Sequence, residues 1–293
     1  MKESENSLRL FLTGFSAASI AEPLLSLDET ADSAAIDSAM QTGGVEIIGI
    51  RKAGVLNGWV LRDDLGPRWS AACVRAFDAQ AVVADTVALH EVVQGLNRFP
   101  YLFVRSFGQV GGVIRRSDIQ KPPVRMWLFG LVTISELRVT RLIDEVCPHD
   151  AWRQYLSAGR IDKAKSLRAE RRRRGQEPSL LDCLQFADKG RIVARDDGLR
   201  QLTRFASRGE VDRFVAALQD LRNNLAHSQD ISGDWDVIFE LATNLYRIVL
   251  GPVINSDSQT AIDVASPEVT RIVDAVCNER CESMKNSERP IPE

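Results

Sequence analysis

The sequence predicts a two-domain α+β protein, with tandem α/β repeats in the first half and an all-α helical bundle in the second. A string of apolar strand, glycine-containing turn, second strand and acidic close occurs twice, about fifty residues apart. Pro122-Pro123 stands where that pattern stops, and proline disfavours helix in the residue before it. Beyond it, apolar residues recur at helical spacing with no convincing strand.

The first repeat opens with an extended segment at 23–27 and an amphipathic helix at 31–40, with Ala34, Ala35, Ala39 and Met40 on one face. A strand at 45–50, a turn at Lys52-Ala-Gly54 and a strand at 55–61 follow, closed by Arg62-Asp-Asp64-Leu65. In the second repeat the helix covers 83–96, using Val87, Leu89, Val92, Val93 and Leu96. Strands at 101–104 and 110–114 flank the turn 106–109, and Arg115-Arg-Ser117-Asp118-Ile119 closes it. Short β-rich runs around glycine turns are hairpin signals. Two such units bury their sheets against one another.

In the second half, 126–143 reads as a long central helix. A helix at 150–174 carries Trp152, Tyr155, Leu156, Ile161 and Leu167, with Gly159 expected to break or bend it. Further helices cover 178–193, 210–226 and 235–250, the last stopped by Gly251-Pro252. Together they predict an antiparallel bundle. After Ile254 the chain is polar apart from a short helical pattern at 267–276, and 277–293 is expected to be disordered.

A chain of 293 residues is long enough for two ordinary cores, and 44% hydrophobic with 26% charged residues is a globular composition. The net charge of −3 excludes a whole-protein attraction to nucleic acid or anionic membrane, so any such attraction is local. Residues 1–7 lack the basic start and apolar run of a signal peptide, and the apolar stretch 126–134 is too short to span a bilayer. The expectation is a cytoplasmic protein without membrane association. Five cysteines do not make a disulfide framework in a chain this long. Cys277 and Cys281 lack the nearby histidine or second pair that a metal site needs, so no metal is expected.

Leu221-Arg-Asn-Asn-Leu-Ala-His-Ser228 is the stretch richest in chemistry. On a helix at about 100° per residue, Phe214, Leu218, Leu221 and Leu225 form one apolar stripe. Asn223 and His227 share a face pointing away from it, and Arg222 lies to the side. Histidine moves protons near neutral pH, and arginine holds a phosphate and stabilises developing negative charge. Asn223 would orient the histidine or bond the phosphate; the same residues also serve elsewhere as ordinary caps. The helix from Arg160 to Arg174 carries Lys163, Lys165, Arg168 and four consecutive arginines against Asp162 and Glu170. That density suits a local phosphate-binding surface, or a solvated charged face. Asp64 and Asp118, each at the turn after a strand, can accept paired donors from a ligand or cap their turns. Arg115 and Arg116 have the geometry to meet a phosphate.

Residues 10–122 resemble tandem CBS domains. The family's ribose-contacting motif runs Gly, apolar residue, any residue, Thr or Ser, two residues, Asp. It is matched by Gly58-Trp-Val-Leu-Arg-Asp-Asp64 and Gly112-Val-Ile-Arg-Arg-Ser-Asp118, with Leu61 and Arg115 where the hydroxyl residue belongs and Ser117 nearby. The resemblance implies an adenine nucleotide (ATP, ADP or AMP) as a regulatory ligand, contacted by Gly58, Asp64, Gly112, Arg115, Ser117 and Asp118. The second domain, 124–254, resembles the HEPN family, whose Arg-x4-6-His motif is matched by Arg222-Asn-Asn-Leu-Ala-His227. That resemblance implies a homodimer and, in catalytic members, a metal-independent endoribonuclease site formed here by Arg222, Asn223 and His227. Non-catalytic members act in dimerisation or nucleotide binding. RNA is then the expected partner of the Arg160–Arg174 helix.

Overall fold

The computed structural model describes residues 2–65, 73–231, 233 and 235–250. The expectations for 251–293, including the Gly251-Pro252 stop, the helical pattern at 267–276, Cys277, Cys281 and the tail, lie outside the described residues. The chain divides into two compact units, 1–137 with 213–245 and 138–212 with 246–293.

The first unit holds both repeats. After helix α1 (Lys2–Thr13), strands β1 (Glu22–Pro23) and β2 (Ser26–Asp28) are separated by two residues yet belong to different sheets. The amide of Leu24 donates to Gly111 O of one sheet, and Leu25 O accepts from the Gly49 amide of the other. The first sheet has the order β2-β3-β4, with β3 (Ile47–Lys52) and β4 (Val55–Leu61) forming a hairpin. The second has the order β1-β7-β6-β5, with β5 (Val82–Ala84), β6 (Tyr101–Ser106) and β7 (Gln109–Arg115). Each hairpin turns through two residues of positive φ, Ala53-Gly54 and Phe107-Gly108, the geometry that matches strand twist in two-residue loops. Each also shifts register at the same place, at Ile50/Arg51 and Val104/Arg105. The two hairpins are copies down to their irregularities.

The side chains of β3 are buried in a continuous run and alternate between two packed faces. Ile48 and Ile50 pack with Val60 against Ile36 and Met40 of α2 (Ser33–Gly43), while Ile47 joins Leu24, Phe103 and Val113 in a cluster that draws on both sheets. Trp59 adds ring contacts at 5.2 Å to Phe103 and 5.8 Å to Tyr101. Asp32 caps α2 by accepting from the Ala35 amide at 2.8 Å, and Gly44 ends it in the left-handed region.

The helices are α3 (Leu89–Arg98), α4 (Pro122–Val146), α5 (Ala158–Arg173), α6 (Phe186–Arg195), α7 (Asp197–Leu202), α8 (Arg208–Ala226) and α9 (Trp235–Leu250). Several boundaries differ from expectation. Val82–Ala84 is a strand, not the start of the helix, because it pairs in parallel with Phe103, Val104 and Arg105; α3 begins only at Leu89. Pro122 heads α4 instead of preceding it, since a first-turn residue needs no N–H. The break in the 150–174 segment falls at Leu156-Ser157, both extended, between a 3-10 turn (Ala151–Tyr155) and α5, so Gly159 lies inside the first turn of α5. Helices α1 and α7 were not expected; α7 is nucleated by Asp196, whose carboxylate accepts from the Leu199 amide at 2.9 Å.

Candidate functional site: two acidic turns and an exposed helix end

The close of each repeat is a 3-10 turn built around one aspartate. In the second repeat (Arg116–Gln120), Asp118 Oδ2 accepts from the Arg115 amide at 2.6 Å and Oδ1 pairs with Lys121 Nζ at 3.1 Å. Asp118 is only 5% exposed, so these partners stabilise a carboxylate that burial would otherwise disfavour. Lys121 is shared, pairing also with Glu22 and donating to Ile20 O. Its hydrogen bond holds the Glu22 carboxyl below the usual range. In the first repeat, Asp64 Oδ2 accepts from the Leu61 amide at 3.2 Å and Oδ1 from Arg75 Nη2 at 2.7 Å. The Arg75 hydrogen bond likewise holds Asp64 below its ordinary value.

Gly58 and Gly112 each lie beneath a crossing chain. Gly112 pairs with Pro23 of β1, and a Cβ there would meet Val104, Ala21 and Glu22 at 3.2–3.3 Å. In the first repeat Trp59 and Arg75 exchange backbone hydrogen bonds of 2.9 and 2.8 Å, and a Cβ on Gly58 would meet Arg75 O at 2.5 Å. The glycines therefore have a packing role whatever ligand they meet. Ser117 is exposed on the second turn. Arg115 and Arg116 are not equivalent. Arg116 donates to Leu96 O at 3.0 Å and stacks over Trp235 at 5.0 Å, whereas the buried Nε of Arg115 has no hydrogen-bond partner.

Arg222, Asn223 and His227 gather at the C-terminal end of α8, all exposed, while Phe214, Leu218 and Leu221 are buried on the opposite face. None of those three polar side chains makes a hydrogen bond or ion pair among the described residues. The helix end itself is held by Arg125. Its Nη2 donates to Asn224 O at 2.8 Å and Leu225 O at 3.3 Å, and its Nη1 to Gln229 O at 2.8 Å and Gln120 Oε1 at 3.2 Å. One guanidinium thus satisfies carbonyls that a helix terminus leaves open. Gln120 also donates to Asp230. Trp235 Nε1 donates to Asn97 Oδ1 at 3.3 Å, and Gln94 Nε2 to Thr243 Oγ1 at 3.1 Å.

Arg125, Arg75 and Lys121 were missed from the sequence. Lys121 had a local signal, three residues after Asp118; Arg125 is 99 residues from Asn224 and had none. In the second unit, the basic helix is largely engaged. Arg168 and Arg171 donate to Pro178 O and Asp182 O, and Arg172 and Arg174 pair with Glu177 and Glu170. Among the described residues, no group of three or more His, Cys, Asp or Glu is placed to hold a metal, and no helix is long and apolar enough to cross a membrane.

No protein-family model matches the chain, and no curated protein matches it in sequence. Among solved structures, it is similar to the CBS domain of a bacterial CNNM/CorC family Mg2+ transporter in complex with ATP, at 14% identity and a TM-score of 0.33, over 42% of this chain and 96% of that one. It is similar to the CBS domain of a CBS domain-containing membrane protein from Sphaerobacter thermophilus, at 12% identity and a TM-score of 0.34, over 41% and 94%. A third is the CBS-pair protein CBSX2 from Arabidopsis thaliana, at 14% identity and a TM-score of 0.32, over 38% and 96%.

Proposed function

We propose that this chain is a ligand-responsive regulator: the CBS-like repeats sense an adenine nucleotide, and the second repeat passes its state to the helix end bearing Arg222 and His227. One observation carries this reading. The turn that holds Asp118 also stacks Arg116 on Trp235 of α9 and joins Gln120 to Arg125 and Asp230 at the end of α8. A ribose on Asp118 uses the acceptor sites left on the two oxygens that the Arg115 amide and Lys121 now hold, and on this reading its entry shifts that turn. Arg115, with its buried Nε unpartnered, supplies the cation for a phosphate. Calorimetric titration of ATP, ADP and AMP tests the sensor. Asp118→Asn is expected to weaken the nucleotide bound best at least tenfold, and equal affinity in the variant sinks the assignment.

The activity we assign to the helix end is metal-independent RNA cleavage, with His227 as general acid or base, Arg222 on the phosphate, and Asn223 orienting one of them. It rests on the three side chains being exposed together on one helix end, and it requires a homodimer that brings two such ends to one cleft. The test is cleavage of RNA by the purified chain in EDTA, with and without ATP. His227→Ala is expected to lower the rate by about a hundredfold or more; cleavage as fast as wild type removes histidine from the chemistry.

A second reading is regulation without catalysis, with the same helix end serving assembly or RNA binding. The observation favouring it is that, among the described residues, no group hydrogen-bonds the His227 ring. Absence of cleavage in every lane, together with a sedimentation coefficient that responds to ATP in the wild type but not in Arg222→Ala, selects it.

A further inference from the structure

The second compact unit contains a cavity of about 490 Å3 that the reading above does not use. Helix α5 forms one wall. Arg160, Lys163, Ala164 and Leu167 line it one turn after another, so the wall passes from cationic to apolar over roughly 10 Å at 1.5 Å per residue. The opposite wall has the same polarity. Asp188 pairs with Arg160 and so marks the charged end. Cys183, 3% exposed, faces the apolar end, because the neighbouring Asp182 carbonyl accepts from Arg171, one turn beyond Leu167. At the charged end the positive charge is in excess. The single buried carboxylate of Asp188 lies between Arg160 and, at 3.7 Å, Arg191, and Lys163 has no acidic partner among the described residues.

Gly159 supplies an independent observation. It lies in the lining, inside the first turn of α5, where glycine is a poorer helix former than alanine. Its φ is not positive, and a Cβ built on it would have no heavy atom within 4 Å. Among the described residues nothing requires the absence of a side chain there, and the glycine leaves exposed backbone at the cavity lining.

We propose that this cavity binds a small amphiphilic anion, a phosphate or carboxylate head on a compact apolar or aromatic body, with the head at Arg160 and Lys163 and the body toward Leu167 and Cys183. The volume exceeds that of an isolated phosphate and falls in the range of small-molecule sites. The probes are phenyl phosphate and benzoate, titrated calorimetrically into the full chain beside inorganic phosphate and phenol. At least one of the two amphiphiles binds saturably with one site per chain, and inorganic phosphate and phenol bind it at least tenfold more weakly; which amphiphile wins identifies the head group. Gly159→Phe, which adds a ring at a lining residue, weakens binding at least tenfold with its circular dichroism unchanged. Lys163→Glu, a substitution at an exposed side chain, weakens binding at least tenfold. No saturable heat with either amphiphile at millimolar concentration, inorganic phosphate binding as tightly as phenyl phosphate, or undiminished binding in a folded Gly159→Phe or Lys163→Glu chain overturns the proposal.

Discussion

A carboxylate offers about four acceptor sites, and Asp64 and Asp118 share the state in which one cation and one backbone N–H each take one of them. Their place at the end of each repeat was legible, because each closes a strand at the same step of a repeated string. The identity of their partners was not: Arg75 reaches Asp64 from a segment that carries no repeat signal. The exposure of Arg222, Asn223 and His227 was legible for a simpler reason, since helical periodicity alone separates them from Phe214, Leu218 and Leu221. His90, on α3, is a residue whose behaviour only the fold reveals. Burial pushes its pKa down from 6.5 to about 4. Between those values the unfolded chain binds a proton that the folded chain refuses, so stability rises with pH across that window and is lost as the solution is acidified. His90→Gln is expected to flatten the pH dependence of the urea midpoint between pH 4 and 6.5; an unchanged slope assigns the dependence to other groups. Glu22 and Asp64, with lowered carboxyl pKa values, act further down. Their stabilisation is present above their ordinary values of 4.5 and 3.8 and disappears as pH falls through the depressed ones.

The elements show where tertiary pairing overrules local pattern. Val82-Val83-Ala84 is a short apolar run that reads equally as helix or strand, and only its register with Phe103 and Val104 decides. The two glycines of the acidic motifs are likewise set by pairing. Gly58→Ala drives a Cβ to 2.5 Å from the Arg75 carbonyl and from a Val74 methyl, so backbone must move; a cost of about 1–3 kcal/mol is expected. Gly112→Ala meets its neighbours at 3.2–3.3 Å and is expected to cost less. Urea midpoints of the two variants test that order. The end of α8 depends on a residue far away in sequence. Arg125→Ala strips partners from the carbonyls of Asn224, Leu225 and Gln229, at about 1–3 kcal/mol, and hydrogen exchange at the His227 and Gln229 amides is expected to accelerate while the middle of α8 stays protected. Equal exchange in variant and wild type removes the clasp from the account of how the second repeat reaches α8.

For the whole molecule, the duplication was legible and the exchange of strands between its copies was not, because residues 22–23 carry no mark saying which sheet they join. The charge run on α5 was legible too, but not how much of it the fold consumes. Arg172 and Arg174 have acidic partners, which leaves Arg171 and Arg173 as the larger contributors to any phosphate contact. If RNA binds there, replacing Arg171 to Arg174 with glutamine lowers the slope of log affinity against log salt by about 1.4, two single-strand contacts' worth. An unchanged slope places the RNA elsewhere. The strand exchange has a further consequence, in the order in which the chain is made. The pieces of the first sheet, from Ser26 to Leu61, leave the ribosome close together and can pair at once. β1 leaves even earlier, yet its partners Gly112 and Val113 are about ninety residues behind it. At about 5–20 residues per second, the amino-terminal strand waits roughly 5–20 s with its hydrogen-bonding groups unclaimed. During translation β1 is therefore fixed later than the hairpin of β3 and β4 that follows it in the chain.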